Sequence, residues 1–312
     1  MTQIMAKDVA QNAGLIGLGA MGSGMAASLR RAGHSVHVYD VRAEVARAFA
    51  QGGGVACDSL AQLAVACDVV ISVVVNAAQT EAVLFGSDTK EGGGGCAASM
   101  KPGSVFVMCS TVDPNWSMAL ENRLAALGIL YIDAPISGGA AKAASGDMTM
   151  MTAGTPAAYA KAEPLLNAMA AKVYRLGDTA GAGSKVKIIN QLLAGVHIAA
   201  AAEAMALGLR EGVDPTALYE VITHSAGNSW MFENRMAHVL AADYTPLSAV
   251  DIFVKDLGLV LDMARASKFP LPLSSTAHQM FMQASSAGYA REDDSAVIKI
   301  FPGIELPKGA GG

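Results

Sequence analysis

The sequence predicts an α/β fold, in which a doubly wound, mostly parallel sheet is followed by an all-helical domain. Three observations carry this prediction. Buried-strand and helix patterns alternate from Gly14 to Leu176, as in chains that build parallel sheets. Residues 183–211 contain no proline and are rich in Ala, Leu and Ile, which predicts one long helix joining the two parts. Beyond Gly212 the apolar residues repeat with helical spacing.

Composition bounds the class of protein. The 312 residues are 52 % hydrophobic and 16 % charged, enough for two globular domains and without the marks of disorder. The net charge of −5 and the lack of a Lys/Arg cluster argue against nucleic acid or an anionic membrane surface as a partner. The four cysteines lack CxxC spacing and the six histidines lack ligand spacing, so we expect reduced thiols and no metal. The N-terminal residues lack a signal-peptide pattern, so we expect a cytoplasmic protein.

A glycine motif follows the first predicted strand, Gly14–Leu18. The motif GLGAMG at residues 17–22 is a GxGxxG sequence, and a helix that ends at Gly33 follows it. The second strand, Ser35–Tyr39, ends at Asp40. The glycines permit a tight turn, a close approach of pyrophosphate and helix–strand packing, while the acid accepts hydrogen bonds from the adenosine ribose. Together they predict a Rossmann-type domain, with cofactor-binding residues Gly17, Gly19, Ala20, Met21, Gly22 and Asp40.

The acid also bears on cofactor choice. A carboxylate at Asp40 would repel the 2′-phosphate of NADP, which favours NAD. Arg42 could partly offset that repulsion, so NADP stays possible.

The alternation continues through the first domain. We predict helices at 42–51, from Pro114 and from Pro156, and strands at 68–75, 104–109, 128–133, 148–152 and 172–176. Ser110 and Thr111 follow one strand at its carboxyl end, where ligands collect in open α/β sheets. Capping of the helix at Pro114 is the alternative role for these two residues.

A second glycine pair, Gly138-Gly139, follows Ser137 in the segment APISGG at residues 134–139. A serine and two glycines that open a helix expose backbone N–H groups suited to a carboxylate. An ordinary strand-to-helix turn is the alternative.

The long helix carries polar residues near its start. Lys187, Asn190 and Gln191 stand three and four residues apart, which places them on one face. A free lysine has a pKa near 10.4, so only about one in a thousand is neutral at pH 7.4, and burial favours the neutral base. Lys187 is therefore a candidate acid/base, with a structural ion pair as the alternative. Leu192–Leu209 includes His197 and Glu203, so we expect a buried helix rather than a membrane span.

Five helices are predicted in the second half. They are Pro215–His224, Ser229–Leu240, Val250–Ser267, Pro272–Ala287 and Asp293–Ile300. We place the domain boundary between residues 180 and 181, with a dinucleotide-binding domain before it and a domain for substrate and oligomer contacts after it. Because the helical part is small and apolar, we expect a homodimer or homotetramer.

Four stretches together resemble one family. GLGAMGSGMA (17–26), DAPISGGAAKAASGDM (133–148), GAGSKVKIINQ (181–191) and KDLGLVLDMA (255–264) occur in the order found in β-hydroxyacid dehydrogenases, which include 3-hydroxyisobutyrate dehydrogenase and tartronate semialdehyde reductase. The resemblance spans about Gly14 to Ile300.

The resemblance implies roles for individual residues. Ser137, Gly138 and Gly139 would hold a substrate carboxylate, Lys187 would be the catalytic acid/base, and Lys255 would close over the cofactor unless it is a solvated helix lysine. Thr111, Val75 and Asn76 would touch the nicotinamide half. Many relatives have asparagine four residues after the lysine, where this chain has Gln191, so whether Asn190 or Gln191 contacts substrate stays open.

Three functions remain in competition. The helical half is similar to family members that oxidise a four-carbon sugar acid at C2, which favours an NAD-dependent 2-hydroxy acid dehydrogenase. Ser229, Trp230 and Arg235 would then shape the substrate pocket, with core packing as the alternative for Trp230. The second function is reduction of tartronate semialdehyde or oxidation of 3-hydroxyisobutyrate. The third is a protein that binds NAD as a sensor without turnover.

Overall fold

The computed structural model describes residues 10–86 and 94–309. They form two compact units, the first running to Lys187 and the second beginning at Ile188, so the division falls inside one helix. The predicted boundary, between residues 180 and 181, lies just before that helix begins. The first nine residues, which entered the cytoplasmic prediction, lie outside the described ranges.

The first unit contains a nine-stranded sheet in its described residues, with the order β3-β2-β1-β4-β5-β6-β8-β7 and with β9 paired to β8. The strands are β1 (Asn12–Ile16), β2 (Ser35–Tyr39), β3 (Val55–Ala56), β4 (Val69–Ser72), β5 (Val105–Met108), β6 (Leu130–Asp133), β7 (Ile136–Ser137), β8 (Met148–Gly154) and β9 (Ala170–Arg175). Strands β1 to β6 are parallel, as predicted. Strand β8 runs antiparallel to β6 and β7 and parallel to β9.

Seven α-helices lie wholly within the described residues of the first unit. They are α1 (Gly22–Arg31), α2 (Ala43–Gln51), α3 (Leu60–Ala66), α4 (Ala77–Phe85), α5 (Pro114–Ala125), α6 (Gly139–Ser145) and α7 (Pro156–Met169). Helix α7 begins at Pro156 as predicted, and its N-cap is Thr155, whose hydroxyl accepts a hydrogen bond from the backbone N–H of Ala158.

Apolar side chains cover both faces of this sheet. Along β5, Val105 and Val107 belong to one hydrophobic cluster while Phe106 and Met108 belong to another. The first cluster includes residues of α1, α2, α6 and α7, and the second includes residues of α3, α4 and α5. This alternation is what a doubly wound sheet requires, since successive side chains point to opposite faces.

Strand β4 ends earlier than predicted. The sequence predicts a strand over residues 68–75, but β4 stops at Ser72, and Val75 is exposed. Its neighbour β1 ends at Ile16. The last backbone hydrogen bond between the two segments runs from the Val73 N–H to the Ile16 carbonyl. Because Gly17 then turns the chain away, the following valines have no strand to pair with.

The second unit is helical in its described residues. Its elements are the greater part of α8 (Ala182–Arg210), then α9 (Pro215–Thr223), α10 (Trp230–Ala241), α11 (Val250–Ala266) and α12 (Pro272–Ala284). The last predicted helix forms as a 3-10 helix, Asp294–Ile300, rather than an α-helix. A carboxylate, Asp293, caps it, and the short apolar turn packs into the core of the unit.

Helix α8 is, among the described residues, the one helix long and apolar enough to cross a membrane. Length and composition alone do not separate a membrane span from the core helix of a globular protein. Ile198, Ala202 and Met205 lie on its buried side and belong to the core of the second unit. The predicted buried helix accounts for these contacts.

Candidate active site

Strand order brings the predicted motifs to one edge of the sheet. Strands β2, β1, β4, β5 and β6 are parallel neighbours, so their carboxyl ends share an edge. Asp40, the glycine loop, Asn76, Thr111 and the segment that leads to Ser137 follow these five ends in turn. The order reverses between β1 and β4, and the crevice at such a switch point is the usual ligand site of open α/β sheets.

The three glycines of the first loop have different roles. A Cβ at Gly17, where φ is +93°, would lie 2.7 Å from the Val73 carbonyl oxygen, so this position needs a glycine turn. A Cβ at Gly22 would lie 1.8 Å from the Gly17 carbonyl oxygen, so helix and loop meet with no room for a side chain. A Cβ at Gly19 would meet nothing within 4 Å. The open side of the loop is therefore at Gly19, next to the exposed Ala20 and partly buried Met21.

Asp40 holds the glycine loop. Its Oδ2 accepts a hydrogen bond of 2.7 Å from the backbone N–H of Leu18. Its Oδ1 accepts bonds from the backbone N–H and the guanidinium Nε of Arg42, at 2.9 and 3.1 Å. Burial acts to raise the pKa of Asp40, but the hydrogen bonds from Arg42 and Leu18 hold it below its usual value. The carboxylate is thus ionised and fixed at the end of β2.

The ends of β4 and β5 carry capping groups as well as site candidates. Asn76 is the N-cap of α4, since its Oδ1 accepts from the Gln79 N–H at 2.9 Å. Gln79 Oε1 in turn accepts from the Val75 N–H at 2.7 Å, which fixes the loop that follows β4. At the end of β5, Ser110 Oγ donates to the Val74 carbonyl at 2.7 Å, tying the two loops together.

The helix after β5 has its own cap. Asp113 Oδ1 accepts from the backbone N–H groups of Asn115 and Trp116, at the start of α5. The alternative in which Ser110 or Thr111 caps this helix is therefore wrong, because the cap is Asp113. Thr111 stays a cofactor candidate by its place at the carboxyl end of β5.

The second glycine pair adopts a turn that other residues rarely reach. Gly138 and Gly139 have φ values of +133° and +77°. Ser137, just before them, pairs with Thr149 across β7 and β8. A Cβ at Gly139 would meet nothing within 4 Å, so the backbone there faces open space. The arrangement leaves room for a carboxylate to approach the backbone N–H groups.

Lys187 lies in the second turn of α8 and is only 7 % exposed. The helix start before it is anchored to Asp133, the last residue of β6. Asp133 Oδ2 accepts from the N–H groups of Gly181 and Ser184, both at 2.9 Å, and Oδ1 accepts from Ser184 Oγ at 2.7 Å. A Cβ at Gly183 would lie 2.4 Å from the Met151 carbonyl oxygen, so the helix start packs directly on β8.

A polar network occupies the α8–α11 contact in the second unit. Gln191 Nε2 donates to Asp256 Oδ2 at 2.6 Å, and Asn190 Nδ2 donates to Gln191 Oε1 at 3.1 Å. The other carboxylate oxygen of Asp256 lies 2.5 Å from Lys255 Nζ. Lys255 is therefore paired with a buried carboxylate and is not the solvated lysine of the alternative. The side chain of Gln191, longer than that of asparagine, contacts α11, and its hydrogen bond to Asn190 links that residue to the same network.

The three residues proposed to shape the substrate pocket differ in their surroundings. Trp230 is 51 % exposed, so the core-packing alternative is wrong for it. Ser229 caps α10 by accepting from the Phe232 N–H. Arg235 is buried, and its guanidinium donates hydrogen bonds to both carboxylate oxygens of Asp294. This buried ion pair gives Arg235 a structural role in the second unit.

Two carboxylates that sequence analysis left without a role are central to these contacts, Asp133 and Asp256. Each is almost completely buried. The signal available in the sequence was an acid inside an apolar run, ILYIDAP for Asp133 and DLGLVL for Asp256. Buried acids need partners, but the sequence does not name them.

No group of three or more His, Cys, Asp or Glu side chains in residues 10–86 and 94–309 is arranged to hold a metal ion. All four cysteines are free and buried. For Cys109 burial raises the pKa of the thiol to about 12, so it stays protonated at neutral pH.

Known proteins match most of the length of the chain. A family profile described as the NAD binding domain of 6-phosphogluconate dehydrogenase matches residues 12–177, and one described as NAD-binding of NADP-dependent 3-hydroxyisobutyrate dehydrogenase matches residues 181–301. L-threonate dehydrogenase of Cupriavidus necator is 68 % identical over 299 residues, covering 96 % of this chain and 99 % of that protein. The chain belongs to the NAD-dependent hydroxyacid dehydrogenase family.

Two further relatives agree with this membership. L-threonate dehydrogenase of Escherichia coli K12 is 52 % identical and covers 94 % of this chain and 96 % of its own length. The crystal structure of a 3-hydroxyisobutyrate dehydrogenase from Salmonella typhimurium is 53 % identical, with a TM-score of 0.88, and covers 93 % of this chain and all of that one. The predicted fold class, enzyme class and NAD cofactor are confirmed, so the sensor alternative is set aside. The roles of individual residues stay predictions.

Proposed function

We propose that this dehydrogenase oxidises L-threonate at C2 to 2-oxo-tetronate (2-dehydro-L-erythronate) with NAD as hydride acceptor. The observation that carries the proposal is the 68 % identity to an L-threonate dehydrogenase over nearly the full length of both chains. Substrate specificity depends on many side chains at once, so identity of this extent over nearly the full length of both chains supports a shared substrate.

The first unit has free space where a dinucleotide would bind. The loop at Gly19 is open where a pyrophosphate would approach, while Gly17 and Gly22 are closed against the protein itself. Asp40 would accept ribose hydroxyls, and Val75, Asn76, Thr111 and Lys255 would contact the nicotinamide half. When bound, NAD accepts the hydride from the hydroxyl carbon.

The chain's own contribution to the chemistry is proton transfer and orientation. The neutral amine of Lys187 would take the hydroxyl proton of the substrate as the C2–H bond breaks, and its ammonium would return the proton in the reverse direction. Ser137, Gly138 and Gly139 would hold the substrate carboxylate. Asn190, Gln191 and Trp230 would line the remainder of the substrate site.

A second candidate has one observation in its favour. The Salmonella typhimurium structure at 53 % identity bears the name 3-hydroxyisobutyrate dehydrogenase. Oxidation of 3-hydroxyisobutyrate, or reduction of tartronate semialdehyde, would use the same lysine and glycine motifs. The two candidates differ in the carbon that is oxidised.

Assembly and location complete the proposal. We place NAD binding in residues 1–180 and substrate and oligomer contacts in residues 181–312. A homodimer or homotetramer in the cytoplasm is our expectation. Ile189, Leu193 and Leu207 support an oligomer, since they stand on one exposed face of α8 although they are apolar.

The test is cofactor reduction at 340 nm with purified protein, NAD or NADP, and a set of acids: L-threonate, D-threonate, D-glycerate and 3-hydroxyisobutyrate. We expect turnover of L-threonate with NAD. Turnover of 3-hydroxyisobutyrate alone would agree with the proposed role of the lysine but show that L-threonate is not the substrate. No cofactor reduction with any of the four acids, in protein that binds NAD, would overturn the proposal.

A further inference from the structure

Asp133 is a completely buried carboxylate that joins two parts of the candidate active site. It ends β6, and its side chain accepts three hydrogen bonds from the first turn of α8 and the residue before it. The partners stand 48 and 51 residues away in the sequence. These bonds satisfy N–H groups that a helix N-terminus otherwise leaves without partners.

Strand β8 provides a common floor for both parts. Asp133 pairs with Ala153 on this strand, and Ser137 pairs with Thr149. Between them, at Met151, the strand contacts Gly183 of α8 so closely that a Cβ would not fit. Alternate residues of one strand, Thr149, Met151 and Ala153, therefore lie beside the serine of the glycine motif, the helix start and the backbone of Asp133.

Chain geometry keeps Lys187 and Ser137 close to this carboxylate. Lys187 is three residues beyond Ser184, a rise of about 4.5 Å along the helix. Ser137 is four residues beyond Asp133, at most about 14 Å along extended chain. A displacement of Asp133 would thus be passed to both over short, well-packed distances.

The energetic cost of this arrangement points to a specific need for it. Burial raises the pKa of Asp133, and the hydrogen bonds from Ser184, Gly181 and Ser117 act in the opposite direction. Its ionisable neighbours Cys109, Tyr131 and Tyr159 are neutral at pH 7, because burial raises their pKa values. The helix N-terminus, with its partial positive charge, is what compensates a carboxylate here.

We propose that Asp133 is a positioning residue, which fixes the start of α8 against β6 and β8 and so sets Lys187 relative to the glycine pair that would hold the substrate carboxylate. The inference rests on the proposed function of Lys187 and of Ser137-Gly138-Gly139. It adds a residue that touches neither substrate nor cofactor but determines where the proton-transfer group stands.

The experiment uses three variants and a control. Asp133→Ala removes all three bonds to the start of α8. In Asp133→Asn, the amide oxygen can accept from both N–H groups while the amide nitrogen donates to Ser184 Oγ, so this variant should restore the geometry. Ser184→Ala removes only the hydroxyl bond. Asp214→Ala is the matched control, because Asp214 also caps a helix, α9, by accepting from the Ala217 N–H.

Each protein is assayed with L-threonate and NAD, and kcat is expressed per NAD-binding site, so that unfolded molecules do not count. Amide hydrogen exchange is measured over residues 181–188. We expect Asp133→Ala to lower kcat per site by about 10- to 100-fold, the effect of a misplacement near 1 Å, with faster exchange in that segment and unchanged NAD affinity. Asp133→Asn should recover most of the activity, Ser184→Ala should lose less, and Asp214→Ala should keep wild-type kcat.

The outcomes separate the two proposals. A wild-type enzyme without turnover of L-threonate would overturn the proposed function, and this inference would fall with it. An active wild type, with Asp133→Ala unchanged in kcat per site, would overturn the inference alone. If Asp133→Ala does not fold, Ser184→Ala decides: unchanged kcat per site in that variant rejects positioning.

Discussion

Three ionisable residues of the first unit lie almost out of contact with water. Lys187, Asp40 and Asp133 are exposed by 7, 8 and 0 %. Withdrawing a charge from water is costly unless partners replace the water. The two carboxylates have such partners in loops that begin helices, α1 for Asp40 and α8 for Asp133. The two carboxylates therefore fix the backbone next to the expected cofactor and substrate.

The role of Lys187 gives the first prediction. Lys187→Ala should lower kcat with L-threonate by about 10²- to 10⁴-fold, the usual range for loss of a proton-transfer group. NAD affinity, measured by calorimetry, should stay as in the wild type. Lys185→Ala is the matched control, since that lysine lies on the same helix turn but is exposed. Near-normal turnover of Lys187→Ala would remove the lysine from the mechanism.

Cofactor preference gives the second prediction. Asp40→Asn keeps an acceptor for the Leu18 N–H, so the glycine loop should hold, but it removes the charge that repels a 2′-phosphate and releases Arg42. The ratio of kcat/KM with NADP to kcat/KM with NAD should rise by about tenfold, roughly 1.4 kcal/mol. The ratio is measured at fixed L-threonate. An unchanged ratio would mean that Asp40 does not select the cofactor.

The same carboxylate makes a prediction about pH. The pKa of Asp40 is lowered in the folded protein, so its ionised form contributes stability above the ordinary aspartate pKa, about 3.9. That contribution should vanish as the pH falls through the lower folded pKa. The free energies of urea unfolding of wild type and Asp40→Asn should therefore differ at pH 7, and the difference should shrink as the pH falls below the ordinary aspartate pKa of about 3.9. A difference that does not change over this range would contradict the assignment.

The glycine loop between β1 and α1 shows how an element divides its tasks. Two of its glycines face protein backbone and one faces open space. The start of α8 is similar, with Gly183 against β8 and Lys187 a turn later. In both elements a glycine lets the start of a helix pack directly against neighbouring backbone. The position of the groups expected to bind cofactor or substrate depends on this close packing.

The different surroundings of these glycines predict that one alanine substitution lowers stability and another lowers the affinity for NAD. Gly22→Ala places a Cβ against the Gly17 carbonyl, so the free energy of unfolding should fall by about 1–3 kcal/mol. Gly19→Ala meets no protein atom and should leave stability unchanged, but the methyl group occupies the side open to pyrophosphate. Its Kd for NAD should rise at least about tenfold, or roughly 1.4 kcal/mol. Thermal unfolding and calorimetry on both variants distinguish the roles, and equal effects would reject them.

At the scale of the whole molecule, the exposed apolar face of α8 is the feature that isolated domains do not explain. Ile189, Leu193, Ala200 and Leu207 repeat at intervals of four and seven residues on the exposed side of the helix. Exposed apolar stripes of this kind mark interaction surfaces. A second copy of the chain is the partner we expect.

Light scattering after size-exclusion chromatography tests that expectation. Wild-type protein should elute as a dimer or tetramer, and Leu193→Glu should shift it to a smaller species, because a charge cannot be buried there without a partner. Leu127→Glu, which alters an exposed leucine after α5, serves as the control and should not shift. A monomeric wild type would refute the oligomer.

Local and periodic features of this protein could be predicted from its amino-acid sequence. Glycine spacing, the acid after β2 and the helical repeat from residue 183 onward depend on neighbours a few residues apart. The structure agrees with them, except that Asp294–Ile300 is a 3-10 helix. The helix of residues 183–211 was predicted within one residue at each end of α8. These features follow from backbone geometry and need no distant contact.

The end of strand β4 and the hydrogen-bond partners of the buried acids could not be predicted from the sequence, because both depend on tertiary contacts. Strand β4 ends at Ser72 because its neighbour β1 ends at Ile16, and residues near Ser72 in the sequence do not show where β1 ends. Asp133 and Asp256 acquire their roles from partners 48 to 65 residues away, Ser184 and Gly181 in one case and Gln191 in the other. The need of a buried carboxylate for hydrogen bonds is local chemistry, but the donor that meets it is brought there only by the packing of helix against sheet or helix against helix.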